Sequence, residues 1–349
     1  MDAVVYPGAE LFVAIDNGGL WPMMIPLPDG ELGAFVYNHP SHGRGTACGI
    51  DLWTSTDGAL WEHRSPVSIG ADDKEGHANI AVGCSLDGTL IVISGRYRFP
   101  EPGARPVYLK PLIRHSSDGG YSWATVGELN ALVENTAITA FGPVLQNPEG
   151  TLVLSAYISP LNHPEKLPPG GAYVLRSTDG GKTFADASAI EAENHNETAL
   201  LAVSDNLWLA SSRTIRCEYP DADFSLVQYL GGRLDLFASD DRGRSWAHAS
   251  RLSLPGQHPG HLLKLQDGRI LLTYGSRIPA MCGIQARLSE DNGSRWSDPF
   301  VLLNGLNTPE VGYPATAQLE DGRLVTVYYT GSAAWHQRYH MGVIRYELH

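Results

Sequence analysis

A phenol, a carboxylate and three guanidinium groups stand at matched distances from six acidic turns in this chain of 349 residues. The turns are Asp29-Gly30, Asp87-Gly88, Glu149-Gly150, Asp205-Asn206, Asp267-Gly268 and Asp321-Gly322. Nine positions before the second residue of each turn come Trp21, Asn79, Phe141, Glu197, Pro259 and Tyr313, with His77 and His258 one or two positions further upstream. Seven to nine positions after it come Asn38, Arg96, Tyr157, Arg213, Arg277 and Tyr329. Tyr313 with Glu197 suits a nucleophile and its base, because a phenol of pKa about 10 attacks only when a neighbour takes its proton or cations stabilise the phenolate. Arg96, Arg213 and Arg277 suit a carboxylate, which the guanidinium fork both neutralises and orients. His77 suits proton donation to a leaving oxygen, since an imidazole titrates near pH 6.5. Asp73, in the loop just upstream, is the alternative acid. His195, His258 and His261 suit ligand hydroxyls, and Asn79, Trp21 and Glu310 complete the candidate binding set. No HExxH or comparable ligand spacing accompanies the histidines, so neither metal nor cofactor is expected.

These residues are far apart in the chain, and only a repeating architecture brings them together. An acidic-Gly pair between alternating apolar residues is a strong hairpin signal. The six turns are spaced by 58, 62, 56, 62 and 54 residues, so each repeat is one supersecondary unit. A second motif interleaves with them. Ser116-Ser-Asp-Gly-Gly-Tyr-Ser-Trp123 recurs as the octets beginning at Ser177, Ser239 and Ser289, and in a shorter form over Ser55–Trp61. In each, an aspartate can accept backbone N–H groups of its own turn, glycines supply positive φ, and the closing aromatic wedges between neighbouring sheets. Six hairpins, five followed by an octet hairpin, imply an all-β fold: a single six-bladed β-propeller of four-stranded antiparallel blades, filling residues 1–349 as one domain. The segment HMGVIRYELH is expected to pair with ELFVAID and close the ring, removing exposed sheet edges. The first strand of each blade then lines the central channel. Residues where it starts, and where the second strand ends, share one mouth.

Composition narrows the partners. The net charge is −13 and only 18% of residues are charged, which argues against a broad basic face for nucleic acid. The longest apolar runs are too short to cross a bilayer, and the N-terminal residues lack a basic region followed by an apolar one. The expectation is a cytoplasmic protein without a membrane partner, or a secreted one whose signal has been removed. Cys48, Cys84, Cys217 and Cys282 are scattered singly, as buried thiols rather than a redox or metal motif. The oligomeric state is not legible in the sequence.

The octets resemble the Asp-box (BNR) repeats of the sialidase superfamily, and the resemblance extends over nearly the whole chain. It implies that Glu197 and Arg213 open and follow the fourth blade, that Arg277 precedes the fifth Asp box, and that Tyr313 opens the sixth blade as the nucleophile. Two positions depart from that pattern. Leu20-Trp21-Pro22 replaces the motif carrying the first arginine of the family's triad, and His77, with Asp72 and Asp73 upstream, stands where an acid/base aspartate is expected. Arg96 is a candidate to restore the third cation. The resemblance implies an exo-acting glycosidase on a terminal acidic sugar, with a glycan or glycoside as partner. Two alternatives stand beside it: a uronic-acid glycan lyase or hydrolase using His77 and Tyr313, and a carbohydrate-binding propeller without turnover.

Overall fold

The computed structural model describes residues 4–41, 45, 47–101, 104–160, 170–215, 231–332 and 337–348. Cys217 lies outside them. Two strands open the chain, β1 (Val4–Val5) and β2 (Glu10–Asp16). A four-stranded antiparallel run follows: β3 (Leu20–Pro26), β4 (Leu32–Tyr37), β5 (Gly49–Ser55) and β6 (Glu62–Ile69). The next contains β7 (Glu75–Cys84), β8 (Leu90–Arg98), β9 (Val107–Ser116) and β10 (Ala124–Glu128). Then come β11 (Thr136–Gln146), β12 (Leu152–Pro160), β13 (Ala172–Ser177) and β14 (Asp186–Glu191). These two runs join into one eight-stranded sheet, because β7 and β11 make a short parallel contact at Gly142↔Ala81 and Pro143↔Val82. Gly83 permits that approach: a Cβ there would lie 2.1 Å from the Val144 carbonyl oxygen.

The pattern continues with β15 (His195–Ser204), β16 (Leu207–Thr214), β17 (Leu234–Ser239) and β18 (Ala247–Arg251). After it come β19 (Gln257–Lys264), β20 (Ile270–Ser276), β21 (Gly283–Ser289) and β22 (Phe300–Asn304), with β1 added beside β22. The last sheet has the order β2, β25 (His340–Tyr346), β24 (Leu324–Thr330), β23 (Val311–Gln318). Its β2–β25 register runs from Glu10↔Arg345 to Asp16↔His340, so the two ends of the chain share a sheet, as the sequence leads one to expect. The whole is all-β, a propeller-like arrangement of antiparallel sheets.

The octets show why the sheets stay in contact. Asp241 accepts from the Arg244 and Ser245 amides at 2.9 and 2.8 Å, and from the Ser239 and Ser245 hydroxyls at 2.7 and 2.6 Å. Those four bonds hold the Asp241 carboxyl down at about 2, the Ser245 hydroxyl contributing most. The finished turn is then captured by the preceding sheet: the Gly243 carbonyl accepts from Ser188 Oγ at 2.8 Å and from Arg176. Likewise Arg64 donates to the Gly119 carbonyl at 2.8 Å, while Trp123 Nε1 reaches Ser65 Oγ at 3.1 Å. At the chain ends, Arg345 donates to the Asp57 carbonyl at 3.2 Å. The closing aromatics sit in the intersheet cores, Phe184 among Ile91, Ile93 and Leu175. A buried aromatic of this size contributes roughly 1.5–3 kcal/mol by removing its surface from water.

Candidate active site

Six strands, β3, β7, β11, β15, β19 and β23, stand at corresponding places, one at the start of each antiparallel run. Each loses register with its neighbour at the corresponding point: between Leu20 and Met23, Ala78 and Ile80, Phe141 and Val144, His195 and Thr198, Gln257 and Gly260, and Gly312 and Ala315. A bulge leaves a residue unpaired and re-aims its side chain. The residues so displaced include Trp21, Asn79, Glu197, His258 and Tyr313. Trp21, Asn79 and Tyr313 have φ values of 49°, 59° and 50°. For bulky side chains that region carries a strain of about 1–3 kcal/mol each, which surrounding packing must hold.

The displacement brings Tyr313 of β23 onto Glu197 of β15. The phenolic O–H donates to Glu197 Oε1, and Glu197 Oε2 accepts from Arg213 Nη1 at 2.8 Å. Glu197 and Tyr313 are 4% and 8% exposed. Burial, and then the adjacent Glu197 charge, push the phenol well above its ordinary value, while Arg213 and Arg277 pull it back. The resting phenol is therefore neutral and hydrogen-bonded to its acceptor. Burial works against the Arg213 cation, but the Glu197 carboxylate outweighs it and holds the guanidinium above its ordinary value.

Arg277 completes the group. Its Nε donates to the Val311 carbonyl at 3.1 Å, two residues before Tyr313. Its Nη2 is buried without a hydrogen-bond partner among the described residues, as is Arg213 Nε. A buried guanidinium N–H left without an acceptor costs about 1–3 kcal/mol, so an acceptor supplied by a ligand is strongly favoured there. Around these polar groups stand Phe141, Trp21 and Tyr329, with ring centroids 5.9, 6.4 and 5.7 Å from that of Tyr313. Tyr329 in turn directs its hydroxyl toward Glu310, at 3.5 Å.

Other candidates lie in separate settings. His77, 1% exposed, bonds Glu75 through Nε2 at 3.1 Å. Burial, only partly opposed by Glu75, lowers its pKa, so it is neutral near pH 7. Arg96 is held between Glu75 and Glu128 at 2.9 and 3.1 Å. Among the described residues, no hydrogen bond or ion pair joins His77 or Arg96 to Tyr313 or Glu197. Asp73 is exposed in the turn before β7, beside Asp72, which pairs with Arg98 at 2.5 Å. His195 bonds the Glu193 carbonyl at 2.9 Å and Asp235 at 3.4 Å. His258 is fully buried in the β19 bulge, and Asn79 is half-buried in that of β7. His261 accepts from the Thr316 amide at 3.3 Å through Nδ1 and lines a small cavity with Met23, Phe141 and the ring of Tyr313. Burial depresses its pKa to about 4. Among the described residues, no cluster of three or more His, Cys, Asp or Glu side chains is placed to hold a metal ion.

Sequence reasoning missed what backs the site. The Tyr37 hydroxyl meets Cys48 Sγ at 3.2 Å and the Tyr97 hydroxyl at 3.0 Å, and the Tyr37 ring stacks on Trp21. It also missed the bulges, for which a signal exists: proline inside an inner strand at Trp21-Pro22, Gly142-Pro143, His258-Pro259 and Tyr313-Pro314.

No protein-family model matches the chain, and no curated protein matches it in sequence. Solved structures do match in shape. A protein of unknown function from Dyadobacter fermentans is 20% identical, with 98% of this chain and 100% of that chain covered, at a TM-score of 0.79. Trypanosoma rangeli sialidase is 13% identical at 0.68, covering 98% of this chain and 60% of its own. The α-L-arabinanase of Penicillium chrysogenum is 15% identical at 0.62, covering 97% and 98%. At these identities the likeness is one of fold: the chain has the propeller-like fold of sialidases and of an arabinanase, and its structural neighbours include glycoside hydrolases.

Proposed function

We propose that the protein is an exo-acting glycoside hydrolase for a terminal acidic sugar, built as a single six-bladed ring over residues 1–349. The observation that carries the reading is the buried Tyr313–Glu197–Arg213 chain beside Nη2 of Arg277, which has no partner among the described residues. In the reaction, Tyr313 Oη attacks the anomeric carbon as the bond to the leaving oxygen breaks, and Glu197 accepts the phenolic proton. Arg277, with Arg213, holds the sugar carboxylate. A neutral phenol approaches a carbon that bears a carboxylate without the repulsion a carboxylate nucleophile would meet. Asp73 supplies the proton to the leaving oxygen. His77 is less suited to that task, since Glu75 engages it at 3.1 Å and it makes no hydrogen bond to Tyr313 or Glu197 among the described residues. Water then displaces Tyr313 from the sugar, with Glu197 and Asp73 returning to their starting protonation.

The elimination reading needs His77 beside Tyr313, and the Glu75 contact speaks against it. The non-catalytic reading draws on Trp21, which occupies the place of a cation. One experiment separates them: a screen of aryl sialosides and uronides, followed by Tyr313→Phe and Glu197→Ala on any substrate found. The expected result is a loss of at least about 10³-fold in kcat in Tyr313→Phe with KM little changed. Full turnover in both variants overturns the proposal. Saturable binding without turnover makes the protein a lectin, and a product absorbing in the near ultraviolet makes it a lyase.

A further inference from the structure

Trp21 sits at the β3 bulge, the position that holds Glu197 in β15 and Tyr313 in β23. Its indole lies flat on Tyr37, at 4.9 Å and 12°, and is inclined by 49° to Tyr313 at 6.4 Å. The backing is sealed and rigid. Tyr37 and Tyr97 are 1% and 2% exposed, and the Tyr37 hydroxyl also accepts from the Gly45 amide at 3.0 Å. By contrast Trp21 keeps 9% exposure, close to the 8% of Tyr313 and the 6% of Arg277.

The charges at the site are also uneven. Glu197 and Arg213 pair at 2.8 Å, whereas Arg277 pairs with no carboxylate among the described residues, and its buried Nη2, like Arg213 Nε, has no acceptor among them. An aromatic wall faces one side of the phenol, and the Arg277 guanidinium accompanies it. A rigid indole pressed against a sugar ring gains from apolar contact with C–H groups and loses little conformational freedom.

We propose that Trp21 is the specificity-determining residue of this site. It receives the C–H face of a monoanionic sugar acid, whose carboxylate is taken by Arg277 with Arg213. The inference rests on the functional reading above only for the class of ligand, since it concerns binding and requires no turnover. Tyr37 is a positioning residue, acting through the indole it carries.

The test is calorimetric titration of the full chain with two probes, N-acetylneuraminic acid and glucuronic acid, alongside neutral glucose. At least one acid is expected to bind, with glucose at least tenfold weaker. Trp21→Ala is expected to weaken that acid about tenfold and Trp21→Phe no more than about threefold, as graded loss of an aromatic face requires. Tyr37→Phe keeps the stack and loses the hydroxyl clamp, so a twofold to threefold loss is expected. The decisive variant is Trp21→Arg. If the pocket merely lacks a cation, it tightens binding of the acid; if the indole is the contact, it weakens it. Tighter binding in Trp21→Arg, unchanged binding in Trp21→Phe and Trp21→Ala alike, or failure of both acids to bind the wild type overturns the proposal. Loss of turnover in Tyr313→Phe bears on catalysis alone, so the two proposals fail separately.

Discussion

Glu197 and Arg213 offer a quantitative test of how the site is held together. Their side chains are 5% and 19% exposed and meet at 2.8 Å. Removing one partner of such a pair leaves the other charge in a poorly solvated place, at a loss of about 3–5 kcal/mol. Because Arg213 retains some access to water, the lower end applies, and Glu197→Gln should destabilise the protein by about 3 kcal/mol. Arg213→Met exposes the opposite charge to the same penalty, moderated because Glu197 also accepts from Tyr313. Removing both charges leaves nothing uncompensated, so the double variant should lose far less than the sum of the singles. A double-mutant cycle by urea unfolding, followed by tryptophan fluorescence, should return a coupling of at least about 2 kcal/mol. Additivity within about 0.5 kcal/mol would instead mean that the two groups are solvated independently.

Arg277→Met is expected to leave stability within about 1 kcal/mol of wild type, as the lost Val311 bond is offset by relief of the buried Nη2, while affinity for a sugar acid falls by 10- to 150-fold, about 1.5–3 kcal/mol; equal losses in both would mark Arg277 as structural. His261 is neutral in the folded protein down to about pH 4, against about 6.5 when unfolded. Its contribution is complete above pH 6.5 and lost as the pH falls toward 4, at most about 3 kcal/mol, with buried His77 acting in the same direction. His261→Asn should flatten the stability profile between pH 6.5 and 4 in equilibrium unfolding, and an unaltered slope would contradict this. Asp241→Ala removes an acceptor of four bonds and should lower stability by about 1–2 kcal/mol, against little change for exposed Asp240→Ala; equal melting temperatures would deny the octet its role.

The repeats were legible because each has a local physical cause. Acidic-Gly turns and Ser-x-Asp octets need only their own few residues to specify a hairpin, so the strand pattern could be counted from the sequence. The pairing of the chain ends was legible because ELFVAID and HMGVIRYELH were strands left without a sheet of their own. Glu197, Arg213, Tyr313 and Arg277 could be grouped because a repeated unit puts equivalent positions in equivalent places, and their side chains do lie together. Arg96 and His77 show the limit of that rule. They satisfy the same spacing, but Glu75, two residues before His77 in β7, engages both, and Glu128 of β10 reaches Arg96, pairings that distance from a turn does not encode. The bulges that turn Trp21, Glu197 and Tyr313 out of their ladders also depend on tertiary packing. Proline within an apolar strand is a local trace at Trp21 and Tyr313, and the strand around Glu197 carries none.

The proposed hydrolysis requires Tyr313 to react at the anomeric carbon with Glu197 as its base. The direct measurement is mass spectrometry of the protein after exposure to a fluorinated, activated glycoside of whichever sugar acid the screen shows to be turned over. A sugar increment on the peptide carrying Tyr313, absent from Tyr313→Phe and slower to form in Glu197→Gln, is the expected result. Steady turnover with the label on a carboxylate side chain, or with the Tyr313 peptide unmodified, would contradict it.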